Sequence, residues 1–265
     1  MDDLLVLGLY LLVGGGAGVL AGLLGVGGGV VIVPVLLWVF RHNSFDDGLI
    51  MQLAVGTSLA TIIVTSLSSI RAHQRHQAIL WSIMRRLSPG IVAGAWAGAV
   101  IADALPSLWL QRIFACFIIL VGIQMVSGRQ PVGGGALPEG VGMTLSGGVI
   151  GLVSALVGIG GGSLTVPYLS WCGIRMRNAV ATSAACGLPI ALAGTLGFMA
   201  EGWGNPALPA ASSGYIYWPA LLGIVSASFL TAPIGAKLAH SLPVKTLKRV
   251  FALLLLLLGL KMLMA

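Results

Sequence analysis

Apolar stretches alternate with short polar ones along nearly the whole chain. Mostly apolar runs cover Leu4–Ala21, Leu49–Ile70, Pro89–Ala104, Trp109–Ser127, Val141–Val157, Ala179–Ala200, Tyr217–Ala236 and Val250–Met264. Most approach the length of a helix that crosses a hydrocarbon core, roughly 20 residues. The pattern predicts an all-α integral membrane protein. Two further apolar pieces, Gly28–Phe40 and Gly160–Cys172, are shorter, and each begins at a glycine-rich phrase. Each joins the preceding run either as two full crossings or as a hairpin that turns inside the bilayer, and the shortness of the second piece favours the partial crossing.

The two phrases are versions of one motif. "GLLGVGGGVVIVPVLLW" runs from Gly22 to Trp38 and "SALVGIGGGSLTVPYLSW" from Ser154 to Trp171; both contain G-[VI]-G-G-G-x-x-x-V-P. Two more matches follow in the same order. "AVGTSLAT" (Ala54–Thr61) pairs with "AVATSAAC" (Ala179–Cys186), and "DALPSLWLQRIFA" (Asp103–Ala115) with "HSLPVKTLKRVFA" (His240–Ala252). Three ordered matches predict a duplicated chain: a first membrane repeat over residues 1–130 and a second over 131–265, five apolar pieces in each.

Composition agrees with the membrane reading. Hydrophobic residues make up 57% of the chain and charged residues 8%, against about 25% charged in a soluble domain. The few charges then orient the repeats, because Lys and Arg favour the cytoplasmic ends of membrane segments. The loop around Arg71, Arg75, Arg85 and Arg86 has no acid, while its counterpart in the second half holds Glu201 and no base. The next loop pair is reversed: Asp103 in the first half, and Lys237, Lys245, Lys248 and Arg249 in the second. Equivalent loops on opposite sides define an inverted-topology repeat. One arrangement puts these bases inside with Arg129, Arg175 and Arg177, and Asp2, Asp3, Asp46, Asp47, Asp103 and Glu201 outside; Glu139 is the exception. Both termini then lie outside. The acidic "MDDLL" start lacks the basic region of a secretory signal, so the first apolar run is read as a retained segment. The net charge of +7 reflects orientation, and no nucleic-acid partner is expected.

The glycine phrase suggests a site. A break at Gly25–Gly29, followed by helix, creates a helix N-terminus inside the membrane, whose free N–H groups and dipole attract anions. In an inverted repeat the break at Gly158–Gly162 faces it near the midplane. The candidate substrate-binding residues are therefore Gly27, Gly28, Gly29, Gly160, Gly161 and Gly162. The hydroxyl pairs Thr57-Ser58 and Thr182-Ser183 join them, since they recur at equivalent positions. Ser163 follows the second glycine run; it and Thr165 have no hydroxyl match at Val30 and Ile32. The competing reading is structural. Glycines also allow close helix packing, the reading for Gly14/Gly18/Gly22 and Gly94/Gly98, and buried hydroxyls often bond back to their own helix.

No Asp, Glu, Lys or Arg lies in the middle of an apolar run. Intramembrane charges mark proton relays and ion paths, so a carboxylate-based cation pump is disfavoured and a neutral anion site favoured. His73 and His76 have no neighbouring metal-ligand partner, and Cys116, Cys172 and Cys186 read as small core residues. No metal or cofactor is expected. No nucleophile-elbow or metalloprotease motif appears, so an enzyme is not expected either. The partners are the lipid bilayer and a small anion. A homo-oligomer stays open, because subunit contacts and lipid contacts are both apolar. An anion channel shares all these features; an inverted repeat favours a carrier, because it supplies two exchangeable conformations.

At "GVGGGVVIVPVL", "GIGGGSLTVPYL", "AVGTSLAT", "AVATSAAC" and "APIGAKLAHSLPVKTLKRVFA" the chain resembles the TauE/SafE family of sulfite exporter-like membrane proteins, over nearly its whole length. The resemblance implies transport, with export the implied direction, of sulfur-containing anions such as sulfite or organosulfonates. It also implies the bacterial plasma membrane.

Overall fold

The computed structural model describes residues 3–24, 28–127, 134–241 and 244–264. They form ten helices, in order α1 (Asp3–Leu24), α2 (Gly29–His42), α3 (Ile50–Arg75), α4 (Trp81–Ala104), α5 (Ser107–Ser127), α6 (Val141–Val157), α7 (Gly162–Trp171), α8 (Met176–Glu201), α9 (Trp218–Ser241) and α10 (Val244–Met264). A two-residue antiparallel ladder, β1 (Ser212–Ser213) with β2 (Ile216–Tyr217), leads into α9. Helices α3, α4, α5 and α8 are long and apolar enough to cross a membrane. In lipid a backbone must satisfy its own polar groups, which helices do within each segment. The chain is an all-helical, multi-pass membrane protein.

The innermost pair is α3 against α8, crossing so that Gly56 meets Phe198, Leu59 meets Gly194 and Ser66 meets Gly187. Around it the helices pair across the sequence: α1 with α9, α4 with α6, and α5 with α10. Lipid tails are as apolar as leucine, so association here relies on close packing between small residues. On α4, Gly90, Gly94 and Gly98 recur every four residues and share one face. A Cβ at Gly90 would strike the Thr144 carbonyl, and one at Gly94 the Gly148 carbonyl; from α6, Gly147 and Gly151 press on the Leu87 and Ile91 carbonyls. The α1/α9 seam is built alike, with Gly14 on the Ile224 carbonyl, Gly18 on Ser228, and Thr231 Oγ1 donating to the Gly15 carbonyl at 2.9 Å. Gly14, Gly18, Gly94 and Gly98 thus pack helices, as their spacing suggests; Gly22 lies outside the residues whose packing is described.

The two short helices belong to hairpins that come from opposite ends. Tyr10 on α1 and Phe40 on α2 both meet Tyr217, at ring distances of 6.5 and 5.7 Å. The α1/α2 hairpin therefore has both outer ends beside the β1–β2 ladder. The α6/α7 hairpin closes at the other end, where Gly134 and Gly135 donate to the Trp171 carbonyl. There the start of α8 holds the α3–α4 loop, Asn178 bonding the Ala78 carbonyl at 3.0 Å and Arg177 the His76 carbonyl at 3.1 Å. Exposed Trp38, Trp109, Trp203 and Trp218 ring the ladder end, as expected where a protein meets a membrane–water interface. One expectation needs correcting. Cys172 and Cys186 are buried, but Cys116 is exposed, because it lies on the outward face of α5 with exposed Arg112, Ile113, Leu120 and Ile123.

Candidate functional site

The hairpin tips meet each other. Gly29, the first residue of α2, lies so close to the Gly158 carbonyl that any Cβ would overlap it. Ser58 Oγ donates to the same carbonyl at 2.9 Å, and the Gly29 Cβ position is 3.2 Å from Ser58 Oγ. Ile62, one turn further along α3, touches both Gly29 and Gly160. Ser58 and Ile62 lie near the middle of α3, so the contact is far from either end of the bundle. The structure thus joins Gly29, Ser58 and Gly160 from the sequence candidates, and Gly158 with them. Gly27 lies outside the described residues.

Backbone geometry explains the glycines of the second tip. Gly158 ends α6 at φ +67 and Gly161 caps α7 at φ +76, left-handed conformations that glycine adopts without a Cβ penalty. The turn is so tight that Gly158 packs on Val33 and Val55 of the other half. Leu164 and Thr165 turn their amides back to the Gly161 carbonyl at 3.1 and 2.7 Å. The amides of Gly161, Gly162 and Ser163 have no hydrogen bond among the described residues, as expected at a helix start. Neither α2 nor α7 has an acid in its first turn. Both chains remain helical through Pro34 and Pro167, so the glycines make the breaks and the prolines lie inside the helices that follow.

The hydroxyl pairs divide between two tasks. Thr57 Oγ1 accepts the Tyr217 amide at 3.0 Å, and Thr182 Oγ1 accepts the Leu80 amide at 3.0 Å. Each threonine holds the residue that precedes a helix of the other half, α9 or α4. Neither side chain stands at the hairpin tips; both frame them. Their partners are 160 and 102 residues away, so the back-bond to their own helix is not what they make. Thr57→Val or Thr182→Val removes the hydroxyl acceptor that anchors the start of α9 or α4. Each is expected to lower stability by about 1–2 kcal/mol, with Thr→Ser retaining most of it, as measured by thermal unfolding in detergent. Ser58 is engaged with Gly158, whereas Ser183, its counterpart, is buried with no partner among the described residues. Ser163 Oγ is also buried and, among the described residues, unpaired.

Sequence reading missed Ser154, near the end of α6. It is buried, its hydroxyl has no partner among the described residues, and it stands 3.8 Å from the Gly161 Cβ position. Its counterpart in the first half is Ala21, so a search for matched residues passes over it; a serine in the otherwise apolar turn before the glycines was the available signal. Arg41 went unremarked as well. It lines an open pocket of about 740 Å³ at the ladder end with Asp47, Ser107 and Gln111. Its guanidinium is already engaged, with Gln111 Oε1 at 3.1 Å and Asp47 at 3.6 Å, and the pocket is remote from the hairpin tips.

Comparison with known proteins gives the class first. A "Probable membrane transporter protein" of Haemophilus influenzae is 39% identical over 96% of this chain and 97% of its own. Similarly named proteins of Methanocaldococcus jannaschii (28% identical, covering 99% of this chain and 97% of its own) and Bacillus subtilis (YunE, 26%, covering 97% and 94%) align end to end as well. The chain is a membrane transporter. The family described as "Sulfite exporter TauE/SafE" matches residues 10–262, and the chain belongs to it. No solved structure matches.

Proposed function

We propose that this protein is a secondary transporter, working by alternating access, that exports small sulfur-containing anions such as sulfite or organosulfonates across a bacterial inner membrane. The observation that carries the reading is the meeting of two glycine hairpin tips deep in the bundle. Each tip starts a helix whose N-terminal dipole favours an anion without an intramembrane cation. Ser58, Gly160–Gly162, Ser163 and Ser183 form the polar centre, with Gly28 and Gly29 packed against it, and Thr57 and Thr182 frame it.

The same reading takes residues 1–130 and 131–265 as inverted repeats with both termini outside the cytoplasm. Three observations support it. The pairing of α1 with α9 mirrors that of α6 with α4. The bond from Thr57 to the start of α9 mirrors that from Thr182 to the start of α4. The hairpins come from opposite ends and meet at their tips. Two halves joined this way can exchange roles, one opening while the other closes, which is the requirement for alternating access.

The test is flux in proteoliposomes loaded with sulfite, with sulfoacetate, sulfate and chloride as comparisons. Saturable, sulfite-selective efflux is expected. Equal efflux of chloride would overturn the substrate assignment, and non-saturating, channel-like currents would overturn the carrier mechanism.

A further inference from the structure

The two hairpin tips are not chemically equal. At the second tip, a Cβ on Gly161 would meet Ile190 Cδ1 on one side and lie 3.3 Å from Thr165 Oγ1 and 3.8 Å from Ser154 Oγ on the other. Both side chains are buried, at 0% and 2% exposure, and both hydroxyls lack any partner among the described residues. Buried hydroxyls are nearly always bonded, so two unpaired ones beside the same residue need a reason. That residue caps α7, a helix of 10 residues whose leading amides at Gly161, Gly162 and Ser163 are also free among the described residues.

The equivalent place at the first tip is Gly28. Its Cβ position meets Ala17 Cβ at 3.2 Å, the Ala17 carbonyl at 3.3 Å and Ile32 Cδ1 at 3.3 Å. Ile32 stands where Thr165 stands in the second half, and Ala21 where Ser154 stands. The start of α2 also faces a protein acceptor already, the Gly158 carbonyl against Gly29. Among the described residues, the first tip therefore has no unpaired hydroxyl beside Gly28. The other carries hydroxyl donors and amides with nothing to receive them.

Resting on the anion-transport reading above, we propose that the transported anion binds at one tip only, the start of α7. Its donors are the hydroxyls of Ser154 and Thr165 and the amides of Gly161, Gly162 and Ser163. The first tip serves as a packing partner that positions Gly158 and carries no anion. The donor set also selects a class. Several N–H and O–H groups around one point suit an anion with more than one acceptor oxygen. With no cation among the donors they suit a single negative charge, because a second buried charge has nothing to balance it. The ligand is a compact monoanionic oxyanion, of the hydrogen sulfite or sulfonate type, in preference to sulfate or a halide.

The experiment titrates purified full-length protein in detergent with sulfite, methanesulfonate, sulfate and chloride, by calorimetry. Wild type is expected to bind sulfite and methanesulfonate more tightly than sulfate or chloride. Ser154→Ala and Thr165→Val are each expected to weaken binding about tenfold, the usual weight of one or two lost hydrogen bonds. Thr165→Ser should stay within about threefold of wild type. Ile32→Val, the matching change at the first tip, should stay within about twofold.

Wild-type affinity in the Ser154→Ala/Thr165→Val double variant would overturn the one-tip site while leaving anion transport standing. So would equal losses in Thr165→Ser and Thr165→Val, since the hydroxyl would then not be the group that matters. Tighter binding of sulfate than of methanesulfonate would overturn the monoanion class. If wild type binds none of the four, the transport reading falls and takes this site with it. Should Thr165→Val not fold, Ser154→Ala, a smaller change, carries the test alone.

Discussion

Gly29→Ala is expected to lower the melting temperature and to abolish anion-dependent stabilisation. The sign is the informative part. Alanine is a better helix residue than glycine by about 0.5–1 kcal/mol, and Gly29 has ordinary helical surroundings as the first residue of α2. If the position were open, the substitution would stabilise. Here the new methyl falls on the Gly158 carbonyl, with Ile62 at 3.1 Å and Ser58 Oγ at 3.2 Å closing the other sides. Backbone meets backbone, so relief requires the hairpins to move apart. Overpacking of this kind costs about 1–3 kcal/mol, more than the helix gain. Separated tips also displace Gly158 and with it the start of α7. Thermal unfolding with and without sulfite checks both parts, and a raised melting temperature would show that the tips do not touch. Gly16→Ala serves as the control: it lies within α1 with nothing within 4 Å of its Cβ position, and is expected to be neutral or up to about 1 kcal/mol more stable.

The larger effect on folding is expected at the α4/α6 seam. Gly90→Ala and Gly94→Ala each place a methyl on a backbone carbonyl of α6, at Thr144 and Gly148. Neither obstacle is a side chain that can rotate away, so α6 must retreat along the whole seam. Each single change is expected to cost about 1–3 kcal/mol. The double variant is expected to lose most of the net stability, since folded proteins have only about 5–15 kcal/mol in total. The readout is the fraction of monodisperse protein recovered from membranes, with the melting temperature of what survives. Full recovery of the double variant would mean that the helices do not approach as closely as described. Gly142→Ala tests the reverse case: its Cβ position meets only the Pro138 ring, at 2.9 Å, and a loop residue can shift, so the loss should be smaller.

Much of this architecture was legible from residue patterns. Apolar runs separated by short polar loops located the helices: α3, α4, α5 and α8 fall on predicted segments. The duplicated glycine phrase located both breaks, because a run of glycines with a proline at fixed distance has few uses inside a membrane. The hydroxyl pairs were found for the right reason, recurrence at equivalent positions, yet their tasks were not readable. Thr57 and Thr182 hold amides 160 and 102 residues away, and no local spacing announces a partner at that distance. Ser154 was passed over because equivalence itself was the filter, and its counterpart is an alanine.

The sequence by itself determined the solvent, the helical class and the places where helices must break. Those follow from composition and from short-range rules: backbone bonds close within each helix, and glycine relaxes the chain wherever it occurs. Tertiary structure decided which glycines face each other, which carbonyl each hydroxyl reaches, and which hydroxyls are left with nothing. A Gly–carbonyl contact or an unpaired Ser is a property of two or more segments in one place. Ser58 and Ser183 stand at equivalent places in similar local sequences, but among the described residues only Ser58 has a carbonyl to bond. The difference arises because packing brings Gly158 to one serine, while none of the described residues offers the other a partner.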